Sequence, residues 1–382
     1  MEINVRARLP VAAGVLLALL FAASCGDGIQ NDAAAGEPIA ASSIDHGVWR
    51  ELSEAPIGTR PYAVSGWSGS EALFWAGANL QRDFANTRGA AYDPASDSWR
   101  ELPVPGWGHP GLTGSVFEGQ LYVAAKGGAS RIDPSDGSAT DLPHVRGFVL
   151  ATLVATDRAV WGLGPTNHSD EEPVGVGIAR YEREADAWIP GPVFDGTPEM
   201  GSLFRDLLFV EQPVLWTGSE IIVWSHDGHG LSFDPMTESW RVLPPLIVPE
   251  GTLVNSEVAV AGARLVALVE FEGYGTTGYG VGSWDGETWT WRDTDIAVTD
   301  FETVTIAGVR DWIVVFSPDQ PPYTVHVPTG DSMRHDDAPI AGVQAPNVVW
   351  TGDELVIWGG APTRTDDNPN PPGGAVWIPP SG

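Results

Sequence analysis

A short segment recurs along the chain and restricts the folds that it can adopt. It is clearest as AAYDPASDSWRELP at residues 90–103 and as LSFDPMTESWRVLPP at residues 231–245. More divergent copies return about every 40 to 50 residues, at 130–143, 179–192, 282–293 and 323–336. Regular repetition at this period indicates a solenoid or a propeller, in which each unit is stabilised by its neighbours.

Each copy has the residues of a β-hairpin. In the copy at 90–103, Tyr92 precedes a turn in which Pro94 fixes φ, and Trp99 follows on the returning strand. The carboxylates of Asp93 and Asp97 can accept hydrogen bonds from nearby backbone N–H groups, which favours a tight turn.

A second, more apolar hairpin accompanies each copy. Runs such as IIVW (221–224) and LVIW (355–358) contain no polar residue, as expected of strands covered on both faces. Seven hairpins of this kind occur, at 66–77, 115–128, 153–164, 214–225, 258–270, 305–316 and 348–360. We therefore expect an all-β chain with almost no helix.

The pairing of a glycine-ended apolar run with a YDPxTxxW-like hairpin resembles the Kelch repeat, over about residues 47 to 379. The double glycine of that repeat is present at 127–128 and 359–360, whereas other units have Ala76-Gly77 or a single glycine. The resemblance implies a seven-bladed β-propeller similar to the central domain of galactose oxidases, with one four-stranded blade per repeat.

The last unit lacks a fourth strand, and a segment near the start of the chain supplies a candidate. HGVWRELSEAP (46–56) matches the fourth-strand segment SWRELPVP (98–105). We expect it to complete the seventh blade, because pairing the two termini leaves no exposed strand edge. The alternative is a six-bladed ring with residues 46–56 as an unpaired arm.

The N-terminal residues have the pattern of an export signal. Residues 1–24 combine Arg6 and Arg8 with an apolar stretch too short for a membrane span, and Cys25 follows. AASC at 22–25 resembles a bacterial lipobox, which implies a lipoprotein signal peptide and lipidation of Cys25. An ordinary signal peptide is the alternative. Residues 25–45 then form a flexible tether and 46–382 the propeller, placing a lipid-anchored protein on the extracytoplasmic side of the cell membrane.

Charge and cysteine content exclude several classes of function. A net charge of −30 opposes binding to nucleic acid, whose phosphates repel a polyanion. The single cysteine allows no intrachain disulfide and no cysteine zinc site. Because lipidation would use this cysteine, Cys25, no thiol is left for a copper centre like that of galactose oxidases, which needs a cysteine crosslinked to tyrosine. We predict no metal and no cofactor, and a monomer attached to the membrane only through its lipid anchor.

Loop lengths distinguish two faces of the predicted ring. Turns between the first and second strands, and between the third and fourth, are short, and they define a tight-turn face. The other connections are long and irregular, and they define a long-loop face, where binding residues normally lie on a rigid scaffold.

The long-loop face carries the predicted ligand-binding residues, which are arginines with aromatic side chains or histidine beside them. They are Arg60, Arg82, Arg88, Arg146, Arg205, Arg364, Trp107, His109, Phe204, Tyr274 and Tyr279. Guanidinium groups, which can donate two parallel hydrogen bonds, and aromatic rings suit a carboxylate, a sugar or an acidic peptide. The alternative for each arginine is an ion pair with one of the abundant acids.

Three motifs have a catalytic interpretation, and each has a structural alternative that we favour. His226 and His229 are spaced for a metal only on a helix, whereas here they occupy a turn. Residues 283–289 resemble a sialidase Asp-box, which is itself a structural turn. The acids at 170–172 suit acid–base chemistry or calcium, but adjacent loop acids are usually solvated.

These observations predict a binding module for a protein or glycan partner, with no catalytic residue assigned. The alternative is a carbohydrate-active enzyme, similar to a sialic-acid mutarotase or a glycosidase. Perturbed carboxylates or histidines in a deep central pocket would favour the enzyme, and a broad arginine and aromatic surface would favour the binding module.

Overall fold

The computed structural model describes residues 44–77, 88–103, 113–125, 128–166, 175–196, 214–249, 251–273, 275–318, 320–362 and 373–381. These residues form seven four-stranded antiparallel sheets, the blades of a β-propeller. The predicted fold class is therefore confirmed, and the six-bladed alternative is wrong. We number the blades 1 to 7 along the chain.

Blades 1 to 4 follow one another without exchange of strands. Blade 1 consists of Val64–Trp67, Ala72–Trp75, Gly89–Asp93 and Ser98–Leu102. Blade 2 consists of Thr113–Phe117, Gln120–Ala125, Gly128–Ile132 and Ala139–Asp141. Blade 3 consists of Thr152–Ala155, Val160–Thr166, Gly175–Glu182 and Ala187–Pro190, with Phe194–Asp195 paired to its third strand. Blade 4 consists of Val214–Trp216, Ile221–Trp224, Gly230–Asp234 and Ser239–Val242.

Blades 5 to 7 complete the ring. Blade 5 has the long strands Thr252–Ala261, Arg264–Gly273, Thr276–Trp284 and Trp289–Thr294. Blade 6 consists of Thr305–Val309, Trp312–Phe316, Tyr323–His326 and Ser332–Arg334, and blade 7 of Asn347–Trp350, Leu355–Trp358, Gly374–Ile378 and the N-terminal strand Val48–Glu51. Outside the blades, Val343–Gln344 pairs with Ala361–Pro362, and the described helix is one 3₁₀ turn, Phe301–Thr303.

The apolar second strands lie inside the blades, as their sequences predict. Every residue of Ala72–Trp75, Ile221–Trp224 and Leu355–Trp358 is buried, whereas the fourth strand Ser239–Val242 is largely exposed. Side chains of adjacent blades interleave in shared apolar clusters. Burying one large apolar side chain contributes about 1.5–3 kcal/mol, so the interfaces between blades supply much of the stability.

A tryptophan on the fourth strand connects several blades to the preceding blade. Its indole N–H donates a hydrogen bond to a main-chain carbonyl that follows the preceding blade's fourth strand. The pairs, 2.7–2.9 Å apart, are Trp99 with Ser53, Trp188 with Pro143, Trp240 with Pro192, and Trp289 with Pro244. The recurring Trp of the sequence therefore contributes both to the blade core and to a specific contact between blades.

The aspartate that opens the recurring turn stabilises it as predicted. The Asp93 carboxylate accepts the N–H of Ala95, and hydrogen bonds from the turn lower the pKa of this carboxyl group. Equivalent contacts are made by Asp133, Asp234 and Asp285. Asp97 has another partner, because its Oδ1 accepts the hydroxyl of Tyr92 at 2.7 Å.

The N-terminal strand closes the ring as predicted. Val48–Glu51 pairs antiparallel with Gly374–Ile378, with Val48 opposite Ile378 and Glu51 opposite Ala375. The first strands of blades 7 and 1 are also in contact. The last blade thus combines the beginning and the end of the described chain.

Buried polar residues anchor the start of this closing strand. Thr324 of blade 6 lies between two buried imidazoles, with its Oγ1 3.0 Å from His46 Nδ1 and 2.8 Å from His335 Nε2. The main-chain oxygen of His46 accepts the Trp377 indole N–H at 3.0 Å. Gly47 follows with φ of +81°, and a Cβ there would collide with Trp377 and the main-chain oxygen of Ile378. These contacts require a glycine at this position.

In the described part of the chain, we find no helix with the length and hydrophobicity that a membrane span requires. Cys25 and residues 1–43 lie outside the described residues, so the signal peptide, the lipidation and nearly all of the tether stay predictions.

Candidate functional site

Of the predicted binding residues, the structure describes Arg60, Arg88, Arg146 and Tyr279. The others lie outside the described residues, namely Arg82, Trp107, His109, Phe204, Arg205, Tyr274 and Arg364, and so do the acids at 170–172. The four described residues have very different surroundings.

Arg60 is part of the framework of the long-loop face. Its side chain is buried, and Nη1 donates hydrogen bonds to the main-chain oxygens of Ala76 at 3.2 Å and Arg88 at 3.1 Å. Burial and the neighbouring Arg88 lower the pKa of the guanidinium group. The contacts join both ends of the loop between the second and third strands of blade 1, so Arg60 holds that loop in place rather than facing solvent.

Arg88 lies next to Arg60 and forms an ion pair. Its Nε and Nη2 both lie 2.7 Å from Oε1 of Glu101 on the fourth strand of blade 1. The hydrogen bond to this carboxylate raises the pKa of Arg88. An incoming anion would compete with Glu101 for this guanidinium group.

Tyr279 belongs to the interface between blades 5 and 6. Its hydroxyl donates to the main-chain oxygen of Val298 at 3.0 Å, and its ring stacks on Phe301 with centroids 6.2 Å apart. Burial, followed by the charge of Glu270, raises the pKa of the phenol. These contacts give the residue a packing role.

Arg146 has an exposed side chain, as Arg88 does, but its surroundings differ. It is exposed on the connection between blades 2 and 3, and it forms no ion pair with the residues that the structure describes. The same connection lines a cavity of about 140 Å³ with His144, Val145 and Phe148. An exposed arginine on a connection that lines a small, partly apolar cavity can hold an anionic group of a ligand.

The two histidines of the 226–229 turn do not converge on a shared site. His226 Nδ1 lies 3.2 Å from Glu257 Oε1, whereas His229 Nδ1 lies 2.9 Å from Asp227 Oδ1. Asp285 of the Asp-box-like segment accepts the backbone N–H groups of Glu287 and Thr288, as a structural turn does. Within the described ranges, no three His, Cys, Asp or Glu side chains gather where they could hold a metal ion.

The tight-turn face has a feature that the sequence analysis missed. Four arginines of fourth strands each reach the turn between the third and fourth strands of the next blade. Arg50 forms an ion pair with Asp97 at 3.3 Å. The other three arginines donate hydrogen bonds of 3.0–3.1 Å to main-chain oxygens, Arg100 to that of Pro134, Arg241 to that of Gly286 and Arg292 to that of Pro328. Three of these arginines also pair with a glutamate of their own blade, as Arg50–Glu354, Arg100–Glu71 and Arg241–Glu220. We call each such contact an arginine bridge.

Two cavities lie between neighbouring blades that no arginine bridge joins in the described part of the chain. A cavity of about 820 Å³ opens between blades 3 and 4, and another of about 550 Å³ between blades 2 and 3. The strand registers set Tyr92 opposite Trp99, Ile132 opposite Ala139 and Tyr181 opposite Trp188. On these fourth strands Trp99 is followed by Arg100, Ala139 by Thr140 and Trp188 by Ile189, so blades 2 and 3 have no arginine at the position that Arg100 occupies in blade 1.

Comparisons with known proteins support the fold alone. No family model and no curated protein matches the chain. Among solved structures it is similar to an oligogalacturonate lyase in complex with manganese, with 13% sequence identity and a TM-score of 0.56 over 88% of this chain and 99% of that one. At this identity the likeness shows a shared propeller architecture, and the resemblance to the Kelch repeat stays a prediction.

Proposed function

We propose that the chain is an exported, lipid-anchored, Kelch-like propeller that binds an anionic group of a protein or glycan partner through its long-loop face. The ring supplies a rigid scaffold, and the connections between blades supply the contacts. In this role the protein acts as a monomeric binding module.

The exposed guanidinium group of Arg146 is the observation that carries this proposal. In a chain with a net charge of −30, an arginine normally finds a carboxylate partner, as Arg88 does with Glu101. Arg146 has no such partner among the described residues. Binding an anion there displaces no ion pair with a described residue, whereas binding at Arg88 would displace Glu101. Arg82, Arg205 and Arg364 are the further predicted contacts.

The test is binding of the full chain, purified in detergent, to an array of sialylated, uronic-acid and sulfated glycans together with a hexaglutamate peptide. Arg146→Ala should weaken the binding by about tenfold, the size expected when a charge-assisted hydrogen bond is lost. The matched control is Arg264→Ala on the tight-turn face, because Arg264 is also exposed and lies 3.8 Å from its nearest acid, Asp311. Equal loss in both variants, or binding to no anionic probe, would contradict the proposal.

The second candidate is an enzyme that acts on an acidic oligosaccharide, and the fold shared with an oligogalacturonate lyase is the observation that favours it. The described residues do not supply a group of ligands for the manganese found in that protein. Incubating the full chain with oligogalacturonate and Mn²⁺, and following the unsaturated product by its ultraviolet absorbance, separates the two candidates. Turnover would support the lyase, and binding without turnover would support the binding module.

A further inference from the structure

We infer that the cavity between blades 3 and 4, on the tight-turn face, is a second binding site, and that it takes an arginine side chain of a basic peptide. This site lies on the face opposite to the proposed anion site and does not depend on it.

The protein fills equivalent spaces with its own guanidinium groups. Arg241 of blade 4 donates from Nη2 to Glu220 at 2.8 Å and from Nη1 to the main-chain oxygen of Gly286 at 3.0 Å, and its guanidinium carbon lies 5.7 Å from the ring centroid of Trp284. Arg100 of blade 1 makes the same pair of contacts with Glu71 and the main-chain oxygen of Pro134. A carboxylate on one side and a carbonyl on the other suit the planar fork of an arginine.

Blade 3 lacks both the arginine and the glutamate of this arrangement. Ile189, which is 43% exposed, stands where blade 4 has Arg241, and Ala159 stands where blade 4 has Glu220. Pro235, the counterpart of Pro134 and Gly286, lines the cavity. The main-chain side of the bridge is therefore retained while the fourth-strand arginine is missing. Arg158 of blade 3 reaches the same turn only at the Met236 sulfur, so a donor from another molecule can take the place of the missing arginine.

The charges around the cavity also favour a cation. Two of its three arginines are neutralised, since Arg241 pairs with Glu220 and Arg180 pairs with Glu182 at 2.9 Å. The third, Arg158, contacts the sulfur of Met236 at 3.0 Å. The positive charge of Arg158 is outweighed by three carboxylates that line the cavity and have no cationic partner in the described part of the chain, those of Asp157, Asp234 and Glu238. The chain as a whole, with a net charge of −30, attracts cations to this face over a longer range.

Aromatic walls complete the site. Trp161 and Trp216 line the cavity, and the Trp216 indole N–H donates to Asp157 Oδ1 at 3.1 Å, which fixes that carboxylate at the rim. A guanidinium group between an indole face and a carboxylate gains cation–π attraction as well as an ion pair. At about 820 Å³ the cavity has room for a long side chain and part of its backbone.

The probe is a Gly-Arg-Gly peptide with fluorescein on its N-terminus and an amidated C-terminus, with citrulline in place of arginine as the uncharged counterpart. Fluorescence anisotropy with the full chain at physiological ionic strength should give about tenfold weaker binding for the citrulline peptide, as expected when a charge-assisted contact is lost. Equal binding of the two peptides, or tighter binding of Gly-Glu-Gly, would overturn the inference.

Paired variants locate the binding. Asp157→Asn should weaken binding of the arginine peptide, whereas Asp353→Asn, the same change in an exposed turn of blade 7 on the same face, should not. Ile189→Arg should block the site by restoring the internal arginine bridge, whereas Ile247→Arg, at a residue that is 74% exposed, makes the same substitution elsewhere. Unchanged circular dichroism spectra establish that each variant is folded. Equal effects of Asp157→Asn and Asp353→Asn, or of the two arginine variants, would show that the peptide is attracted only by overall charge.

Discussion

Acid should weaken the ring closure, because buried histidines anchor the N-terminal strand. His46 Nε2 is buried and has no hydrogen-bond partner among the described residues. A buried N–H without an acceptor costs more than an unused lone pair, so the proton of this ring belongs on Nδ1 and is donated to Thr324 Oγ1. The Thr324 hydroxyl then donates to His335 Nε2, which must be unprotonated to accept. This chain of hydrogen bonds exists only while His335 is neutral.

The pKa of His335 gives the size of the effect. Burial is the main cause, and repulsion from His46 the second, that lowers the pKa of His335 from 6.5 to about 4. The negative charge of Asp337 raises this pKa and offsets part of the shift. Burial also lowers the pKa of His46, against the charges of Asp331 and Asp45. Because the folded pKa is below the unfolded pKa, the unfolded state binds more protons as the pH falls below 6.5. The free energy of unfolding should therefore decrease by about 2 kcal/mol for His335 between pH 7 and pH 5.

Urea denaturation of the full chain at pH 7, 6 and 5 measures this change. The turn aspartates do not interfere in this range, because the pKa of Asp93 or Asp234 is lowered from 3.8 and titrates at lower pH. In His335→Gln the decrease between pH 7 and pH 5 should shrink by about 2 kcal/mol, while the exposed His144→Gln should behave like the wild type. An undiminished decrease in His335→Gln would refute the assigned role of this histidine.

Three further predictions concern closure, blade packing and anchoring. Deleting residues 46–56 should lower the melting temperature strongly, because it removes the fourth strand of blade 7, whereas deleting 27–43 should not; coincident thermal melts would refute the closure. Trp240→Phe should lower the free energy of unfolding by about 1–2 kcal/mol, because the Pro192 carbonyl loses its donor, and an unchanged urea midpoint would contradict that role. Cys25→Ala should release the protein from the membrane fraction, and a mature N-terminus downstream of Cys25 in intact-mass data would exclude lipidation.

The sequence predicted the architecture well because the fold repeats. Where a blade has the recurring Trp or Asp, these residues act within that blade or between neighbouring blades, so their spacing is visible in the sequence. The closing strand was identifiable because residues 48–51 duplicate the fourth strand of blade 1. In each case the interaction is set by a local pattern that recurs.

The surroundings of individual arginines were less predictable. Arg60 and Arg146 both occupy connections between blades, yet Arg60 is buried against the main-chain oxygens of Ala76 and Arg88 while Arg146 is exposed. Those acceptors lie 16 and 28 residues away in the chain, at positions fixed by packing rather than by local sequence. Ile189 aligns with Arg100 and Arg241 in the repeats, but the sequence does not show that these arginines contact the next blade, so the meaning of the missing arginine was overlooked.

Hydrogen–deuterium exchange of the full chain tests most directly whether the long-loop face binds the partner. With a bound anionic glycan or hexaglutamate, we expect protection of residues 143–150 around Arg146 and no change in the tight turns at 217–220 and 234–239. Protection confined to those tight turns, with residues 143–150 unchanged, would contradict it.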